Sequence, residues 1–348
     1  MDTNPNPKDS MKSTWRAGNQ AEWTFYHQLI DYLDVYPTHL DQEVPVHLKD
    51  EKVPYLPHWS MHRFVLFYSA IPLLLHQVYS AYTGNALRPF VVFNWYFFCF
   101  NAIVIYEVHV LRKLGHQYGF LDGDKHERDG IPDVGVGKAV RSLYMTTGSR
   151  LAISVYLSYN SNLLPSDLSW TWLPLEIGLY SIVLDFWFYW YHRSMHDVSF
   201  LWRFHRTHHL TKHPNPLLSA YADHEQEFFD MVGVPFMAYM TMKCFGLPMG
   251  FYEWWVCHVY VAFVEVLGHS GLRLHAGAPS PLSWLLRMFD ADIVIEDHDL
   301  HHRKGWRTSH NYGKQTRLWD RIFGTCHDRI ESVEDNVDYV NTATLPLF

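Results

Sequence analysis

The sequence has few cysteines and lacks the motifs of several familiar metal enzymes. Only four of its 348 residues are cysteines, Cys99, Cys244, Cys257 and Cys326, and no two of them form a CxxC pair. A disulfide framework and a thiolate zinc finger are therefore disfavoured. The sequence also has no HExxH, which supplies the general base of zinc proteases, and no paired Glu-x-x-His of carboxylate di-iron bundles.

The chain also has no excess of basic over acidic residues. The formal net charge is -8, and the isoelectric point is near 6.3, so nothing supports a nucleic-acid partner. Hydrophobic residues make up 48% of the chain and aromatic residues 17%, yet the mean hydropathy is only -0.16. This combination indicates apolar spans joined to a polar, histidine-rich body.

Apolar runs predict helices that enter a membrane. Two runs, at residues 64–82 and 89–110, approach the ~20 residues that cross a bilayer core. Two further runs lie at 151–164 and 170–191, and a last apolar pair lies at 228–245 and 251–268. The alternative is a set of buried helices in a large soluble protein. No basic segment precedes an early apolar run, so we expect no cleaved signal peptide.

The distribution of positive charge predicts the orientation of these helices. Basic residues collect between 112 and 150 and again after Arg193, whereas the short connections 84–88 and 165–169 hold one basic residue between them. By the positive-inside rule, the hairpins enter from the cytosol and both histidine-rich regions face it. We expect an all-α fold: polytopic membrane helical hairpins carrying a cytosolic histidine-rich helical cap. We expect about four spans, and six if the last apolar pair also crosses.

Three groups of histidines dominate the second half of the chain, which holds fifteen of the 24 histidines after residue 190. They are HxxxH (His192, His196), HxxHH (His205, His208, His209) and HDLHH (His298, His301, His302). Positions i, i+3 and i+4 of a helix share one face, so we expect each group to aim its imidazoles at a common point. A structural zinc site takes four ligands, so eight imidazoles imply two metal ions, or one ion with many supporting histidines.

Ligands supplied only by histidine favour an oxidase site. Neutral imidazole binds divalent iron, zinc and copper. Iron held by imidazoles stays cationic, and it can bind dioxygen and generate an oxidant for an unactivated C–H bond. Two alternatives remain open: a zinc-dependent membrane hydrolase, and a non-catalytic metal-binding or transport protein.

The motifs resemble those of the fatty acid hydroxylase superfamily, the membrane group that also holds sterol desaturases and sterol C4-methyl oxidases. The matching stretches are D-x3-YW-x-HR-x2-H from Asp185 to His196, HxxHH from His205, DHEQE around His224, GHSG around His269, HDLHH from His298, NYGK at 311–314 and WDRIFGT at 319–325. The resemblance implies a multi-pass protein of the endoplasmic reticulum membrane with its active site facing the cytosol. It implies two iron ions, which zinc can replace in purified protein, with O2 as co-substrate and electrons from cytochrome b5 or a reductase.

The resemblance also implies which histidines bind metal. Metal-ligand roles fall on His192, His196, His205, His208, His209, His269, His298, His301 and His302. Two further candidates are His224, where the family commonly has His-Pro and this chain has His-Glu, and His275, which lies close to His269 in the sequence. We expect His213, His258, His310 and His327 to be structural.

Metal-binding histidines usually donate their second N–H to a carboxylate or a carbonyl. Asp185 lies two helical turns before His192. A carboxylate in an apolar run destabilises the fold unless it has a partner, so Asp185 is a candidate metal ligand or orienting residue. Asp223, Glu225, Glu265 and Asp297 are further candidates for orienting roles. We expect Asp299, beside His298, to face solvent.

These features predict a membrane-bound di-iron oxygenase that hydroxylates or desaturates a lipid-like substrate, such as a sterol, a fatty acyl or sphingoid chain, or a terpenoid. We expect a polar, partly amphipathic segment at 1–57, a single membrane oxygenase domain at 58–330 with its catalytic core at 179–325, and a tail at 331–348. The first segment is too short for a haem domain, so we expect a separate electron donor. We expect His192 and His196 at the membrane boundary, nearest the entering substrate.

Overall fold

The chain folds mostly into helices, as the sequence predicts. The structure is a computed structural model that describes residues 7–122 and 128–348. Its helices are α1 (Phe25–Leu33), α2 (His58–Thr83), α3 (Pro89–Tyr118), α4 (Val136–Ser158), α5 (Leu173–Asp197), α6 (Ser199–His205), α7 (His224–Phe228), α8 (Val234–Cys244), α9 (Phe251–Gly268), α10 (Ser283–Met288), α11 (Ile295–Lys304) and α12 (Leu318–Phe323). Two short strands, β1 (Val53–Pro54) and β2 (Val337–Asp338), pair in parallel.

Helices α2 and α3 form the apolar hairpin expected from the first two runs. Gly84 ends α2 in the left-handed conformation at φ 67°, which favours glycine, and Pro89 occupies the first turn of α3. Large apolar side chains such as Leu74 and Phe98 stay exposed, as lipid-facing residues would. Within the described ranges, only α2 and α3 are long and apolar enough to cross a membrane. The number of spans beyond this hairpin stays a prediction.

Helix α9 lies at the centre of the molecule. Every residue from 251 to 264 is buried, because α2, α3, α4, α5 and α11 all pack around it. Trp254 donates its indole N–H to the Tyr180 hydroxyl at 2.9 Å, and Trp255 donates to the Ser69 carbonyl at 3.0 Å. A helix that is apolar on all sides is typical of such a buried core position.

The two ends of the chain pack together on the helical body. The Leu345 amide donates to the Ser60 hydroxyl at 2.8 Å, which fixes the tail at the start of α2. Arg273 is buried and donates to the Lys52 carbonyl at 3.0 Å and to Glu331 at 3.0 Å, so it joins both ends to the core. Helix α1 packs on α4.

Candidate metal centre

Nine buried histidines gather in two adjacent groups that could each hold a metal ion. The five-histidine group contains His192, His196, His205, His209 and His301, and the four-histidine group contains His208, His269, His298 and His302. Within each group, one nitrogen of every residue lies within 4.8 Å of those of the others. The nine are the residues for which the sequence analysis predicts ligand roles.

The histidine motifs do not map one to one onto the groups. His192 and His196, one turn apart on α5, point into the same group as expected. Both HxxHH motifs, however, divide between the groups: His205 and His209 join the first and His208 the second, while His298 and His302 join the second and His301 the first. The expectation that each of these two motifs converges on one point is therefore wrong. Consecutive helix positions point about 100° apart, so i+3 and i+4 diverge even when each lies near i.

The Nε2 atoms of the five-histidine group point inward at short range. Nε2 of His205 lies 3.0 Å from Nε2 of both His192 and His196, and Nε2 of His209 lies 3.1 Å from Nε2 of both His196 and His301. Two nitrogens ~2.1 Å from one ion are about 3.0 Å apart at a right angle and about 3.4 Å apart at a tetrahedral angle. The spacing is therefore short enough for these nitrogens to bind a single ion.

Backbone carbonyls of the loop after α11 fix three of these imidazoles. The Nδ1–H groups of His192, His196 and His301 donate to the carbonyls of Tyr312 (2.8 Å), Trp306 (2.8 Å) and His310 (2.6 Å). A proton held on Nδ1 leaves the lone pair on Nε2, which faces the centre of the group. One loop therefore sets the tautomer of three imidazoles.

Other elements orient three more imidazoles. Nδ1–H of His205 donates to Oε1 of Gln226 at 3.0 Å, Nδ1–H of His269 to the Glu265 carbonyl at 2.8 Å, and Nδ1–H of His302 to the Thr211 carbonyl at 3.1 Å. The Nε2 of His302 is buried without a hydrogen-bond partner among the described residues, as a lone pair reserved for a metal would be. The donor set and this unpaired atom both fit a metal ion.

Burial keeps the imidazoles neutral. It lowers the pKa values of six histidines outside the apolar helices well below the usual range, and repulsion from neighbouring imidazoles adds to the effect. They are His205, His208, His209, His298, His301 and His302. Neutral imidazole is the form that binds a metal.

Asp185 anchors the loop that carries the Tyr312 carbonyl. Its carboxylate is fully buried and accepts from the amides of Lys314 (2.8 Å), Gln315 (3.0 Å) and Thr316 (3.2 Å) and from the Thr316 hydroxyl (2.7 Å). Asp185 lies in neither histidine group and acts on His192 only through this loop. Gly313 leaves room for it, because a Cβ there would lie 3.0 Å from Oδ2 of Asp185.

A buried ion cluster beside the four-histidine group contains residues that sequence reasoning missed. Nζ of Lys314 lies 2.7 Å from Asp230 and 3.1 Å from Glu265, and the Glu265 carboxylate lies 3.8 Å from Nδ1 of His269. Glu265 was expected to have an orienting role. Asp230 lies in a π-helical turn, Phe229–Gly233, a feature often found at functional sites. Its position within an apolar run was the signal that could have identified it.

Asp299 does not face solvent. It is fully buried, with Nη2 of Arg128 at 2.7 Å and Nε of Arg303 at 3.0 Å from its carboxylate. The expectation from its position beside His298 is wrong, because Arg128 approaches from a distant part of the chain. Asp297 is also buried and pairs with Arg329 at 2.7 Å, so it stabilises α11 and does not contact an imidazole.

The remaining candidates lie outside both histidine groups. The His224 side chain is 68% exposed, Glu225 is exposed, and Asp223 pairs with Lys138. His275 is buried, but its ring lies against Tyr55. The four histidines expected to be structural make other contacts: His213 with Asp122, His258 with Ser154, and His310 with His327.

A narrow apolar pocket adjoins the four-histidine group. Glu265, His269, His298 and Lys314 form its polar side, and its other lining residues include Val264, Leu267, Ala276, Ala278, Ile293 and Val294. Neither His192 nor His196 lines it. The expectation that these two histidines lie nearest the entering substrate stays a prediction.

Comparisons with known proteins agree with the site. The family model for fatty acid hydroxylase matches residues 177–325. Fatty acid hydroxylase vlmA of Lecanicillium sp. is 44% identical over 309 residues, covering 85% of this chain and 84% of that protein.

More distant relatives match over about half of this chain. Alkylglycerol monooxygenase of Xenopus tropicalis is 28% identical, covering 51% of this chain and 36% of that protein. Delta(7)-sterol-C5(6)-desaturase of Nicotiana tabacum is 27% identical, covering 48% of this chain and 55% of that protein. No solved structure matches the chain. The extent of the first match, together with the family-model match over residues 177–325, establishes that the chain is an oxidoreductase that belongs to the fatty acid hydroxylase superfamily.

Proposed function

We propose that the chain is a membrane-bound non-haem di-iron oxygenase that hydroxylates or desaturates an unactivated C–H position of a lipid-like substrate. It would use O2 and electrons from a separate donor such as cytochrome b5 or a reductase. One observation carries the proposal: nine neutral imidazoles form two adjacent groups beside an apolar pocket. The apolar hairpin of α2 and α3 supports a membrane location, which we propose is the endoplasmic reticulum with the site facing the cytosol.

The two histidine groups would each hold one iron ion. When bound, iron supplies the redox chemistry that oxidation of a C–H bond by O2 requires. The carbonyls that accept Nδ1–H protons keep each Nε2 available to the ion. Because no carboxylate of the described residues joins either group, the ligands themselves would leave the positive charge of the ions uncompensated.

Residues of the chain would exclude water and hold the substrate. The apolar lining beside His269 and His298 suits an aliphatic segment, which would enter only if the pocket widened from its present volume of about 20 Å³, the space of one water molecule. The relative that is 44% identical is a fatty acid hydroxylase, which supports a fatty acyl chain among the lipid-like substrates.

Lys314 would keep a fixed positive charge at the edge of the pocket. Burial alone would lower its pKa, but the carboxylates of Asp230 and Glu265 raise the pKa of Lys314 above its ordinary value. Its Nζ therefore holds its proton at neutral pH. Because the ammonium is paired with these two carboxylates, its role would be to hold Glu265 beside His269.

The test uses full-length protein in microsomes supplied with reductant and ¹⁸O2, with fatty acids, sphingoid bases and sterols as separate substrates. We expect substrate-dependent O2 consumption, with ¹⁸O in an alcohol product or a new double bond by mass spectrometry. Removing a residue that only orients a metal ligand typically lowers metal affinity or activity about 10–100-fold. His208 is itself a proposed ligand, so His208→Ala should lower turnover at least about 100-fold. His224→Ala is the matched control, since this exposed histidine should change turnover by less than about twofold.

Two results would contradict the proposal. Full turnover by His208→Ala would remove that residue from the metal centre. Product formation without oxygen and reductant would instead indicate the zinc-dependent hydrolase.

A further inference from the structure

Two tryptophans connect the five-histidine group to the protein surface. The ring centroid of Trp306, whose side chain is 39% exposed, lies 5.1 Å from that of the buried Trp202. The Trp202 ring lies 5.3 Å from the His196 ring and 5.7 Å from the His209 ring. The Trp306 carbonyl also accepts the Nδ1–H of His196 at 2.8 Å. Aromatic rings in contact therefore lead without a break from solvent to two of the proposed metal ligands.

The surface around Trp306 is basic. Lys304 and Arg307 are exposed on either side of it in the sequence, and Nζ of Lys212 lies 4.9 Å above the Trp306 ring. We call Lys212, Lys304, Trp306 and Arg307 the Trp306 surface. The whole chain carries a formal net charge of -8, so this concentration of positive charge contrasts with the rest of the protein.

Contacts hold this surface in place. Lys212 donates from Nζ to the Gly305 carbonyl at 2.7 Å, which fixes its ammonium beside the indole. Arg307 donates to the Ser199 hydroxyl at the start of α6, the helix that carries Trp202. The charged rim and the buried tryptophan therefore belong to one rigid unit, which favours pre-organised docking.

Neighbouring acidic residues of the described ranges offset this charge only in part. Asp129 accepts from the backbone amides of Lys212 and His213 at 2.6 and 2.8 Å, and its negative charge acts on the Lys212 ammonium. Asp197, which follows His196, is paired with Arg193 at 3.2 Å. Lys304 and Arg307 form no ion pair with a described residue, so the Trp306 surface keeps their positive charge for a partner.

We propose that the Trp306 surface docks an acidic one-electron carrier protein, and that Trp306 and Trp202 conduct its electrons to the five-histidine group. The inference rests on the proposed function, because oxygenation is what creates the demand for electrons. Hydroxylation follows RH + O2 + 2e⁻ + 2H⁺ → ROH + H2O, so two carriers are each oxidised by one electron in every turnover. Desaturation consumes the same O2, electrons and protons and yields an alkene and two waters.

Charge complementarity determines this choice of partner. A basic rim attracts an acidic protein and accelerates its encounter, and electron-transfer complexes are small and transient. A single exposed tryptophan with three basic neighbours suits such a contact.

The experiment measures reduction of full-length, iron-loaded protein in lipid nanodiscs. The probe is an acidic soluble cytochrome b5 haem domain, whose oxidation is followed by stopped-flow absorbance, and dithionite serves as a small reductant that needs no docking. The variants are the double variant Lys304→Glu/Arg307→Glu, and Trp306→Leu, which keeps the backbone carbonyl that binds His196. The control is Lys52→Glu, an exposed lysine remote in sequence from the Trp306 surface.

We expect the double variant to lower the second-order rate of haem oxidation about tenfold at low salt, with the difference shrinking as salt rises. Trp306→Leu should slow haem oxidation while leaving its salt dependence unchanged, and Trp306→Phe should recover most of the rate. Lys52→Glu should match the wild type, and dithionite should reduce every variant alike with equal iron content.

Wild-type haem oxidation by the double variant would overturn the docking surface, and wild-type oxidation by Trp306→Leu would overturn the tryptophan route. Equal slowing with dithionite would also overturn the proposal, because it would reveal a damaged metal centre. If wild-type protein supports no O2-dependent turnover with either reductant, the proposed function itself fails. That result differs from normal turnover that the substitutions in the Trp306 surface leave unchanged, which would overturn the docking proposal alone.

Discussion

Replacing Asp185 by asparagine tests whether the five-histidine group depends on the loop after α11. Oδ1 of Asp185 accepts from the amides of Lys314 and Gln315, and Oδ2 accepts from the amide and the hydroxyl of Thr316. Asparagine has nearly the same shape, but it keeps only one acceptor oxygen. Its NH2 group would therefore face two of the four donors.

These contacts set bounds on how much the free energy of unfolding should fall in Asp185→Asn. An unsatisfied buried donor costs about 1–3 kcal/mol. If the NH2 group faces Thr316, its hydroxyl can rotate and accept, so we expect the free energy of unfolding to fall by roughly 2–3 kcal/mol. The same loop supplies the Tyr312 carbonyl to His192 at 2.8 Å. Weakening such a support typically lowers metal affinity about 10–100-fold.

The assay combines thermal unfolding with iron analysis after anaerobic reconstitution. Glu176→Gln is the matched control, because Glu176 lies on the same helix, is equally buried, and accepts one bond, from the Met249 amide at 2.6 Å. Glutamine can keep that bond, so this control should bind iron normally. Wild-type iron affinity together with wild-type unfolding in Asp185→Asn would refute the role of the loop.

Two further predictions concern buried charge and pH. Asp299→Ala leaves the buried guanidinium groups of Arg128 and Arg303 without their shared carboxylate, so the free energy of unfolding should fall by about 3–5 kcal/mol, measured by denaturant titration in detergent. Burial lowers the pKa of His310 to about 4, and burial acts in the same direction on the grouped histidines. Below pH ~6.5 the unfolded chain binds protons that the folded metal-free protein does not, so its stability should fall as pH drops from about 6.5 toward 4. An unfolding temperature that stays constant over this range would contradict the neutral, buried state of the imidazoles.

The sequence identified the histidines that gather, but it could not assign them to groups. The spacing within α5 sufficed for His192 and His196, because a single helix carries both. The second motif is harder, since α6 ends at His205 and a 3-10 turn begins at His208. Which group receives His208 depends on how this turn packs on α11, and that information is not local in sequence.

Distance along the sequence also misled the interpretation of His275. Its nearness to His269 made it a candidate ligand, but Gly271 adopts a left-handed conformation at φ 60° between them. The chain turns there, and the His275 amide then donates to the Pro54 carbonyl at 2.9 Å. A turn of this kind separates neighbouring histidines as effectively as a long stretch of chain.

The division of both HxxHH motifs makes the two histidine groups mechanically dependent on each other. His208 and His209 are consecutive residues in different groups, and so are His301 and His302. A shift of α11 that opened one group would therefore displace an imidazole of the other, because a helix moves as a rigid body over so short a length. Since a preformed metal site rarely exists in an unfolded chain, the binding energy of an ion at either group would also become folding energy for the segments that the groups share. The sequence pattern HxxHH thus does more than present three imidazoles on one face: on α11 it would set the separation of the two ions that are proposed to occupy the groups.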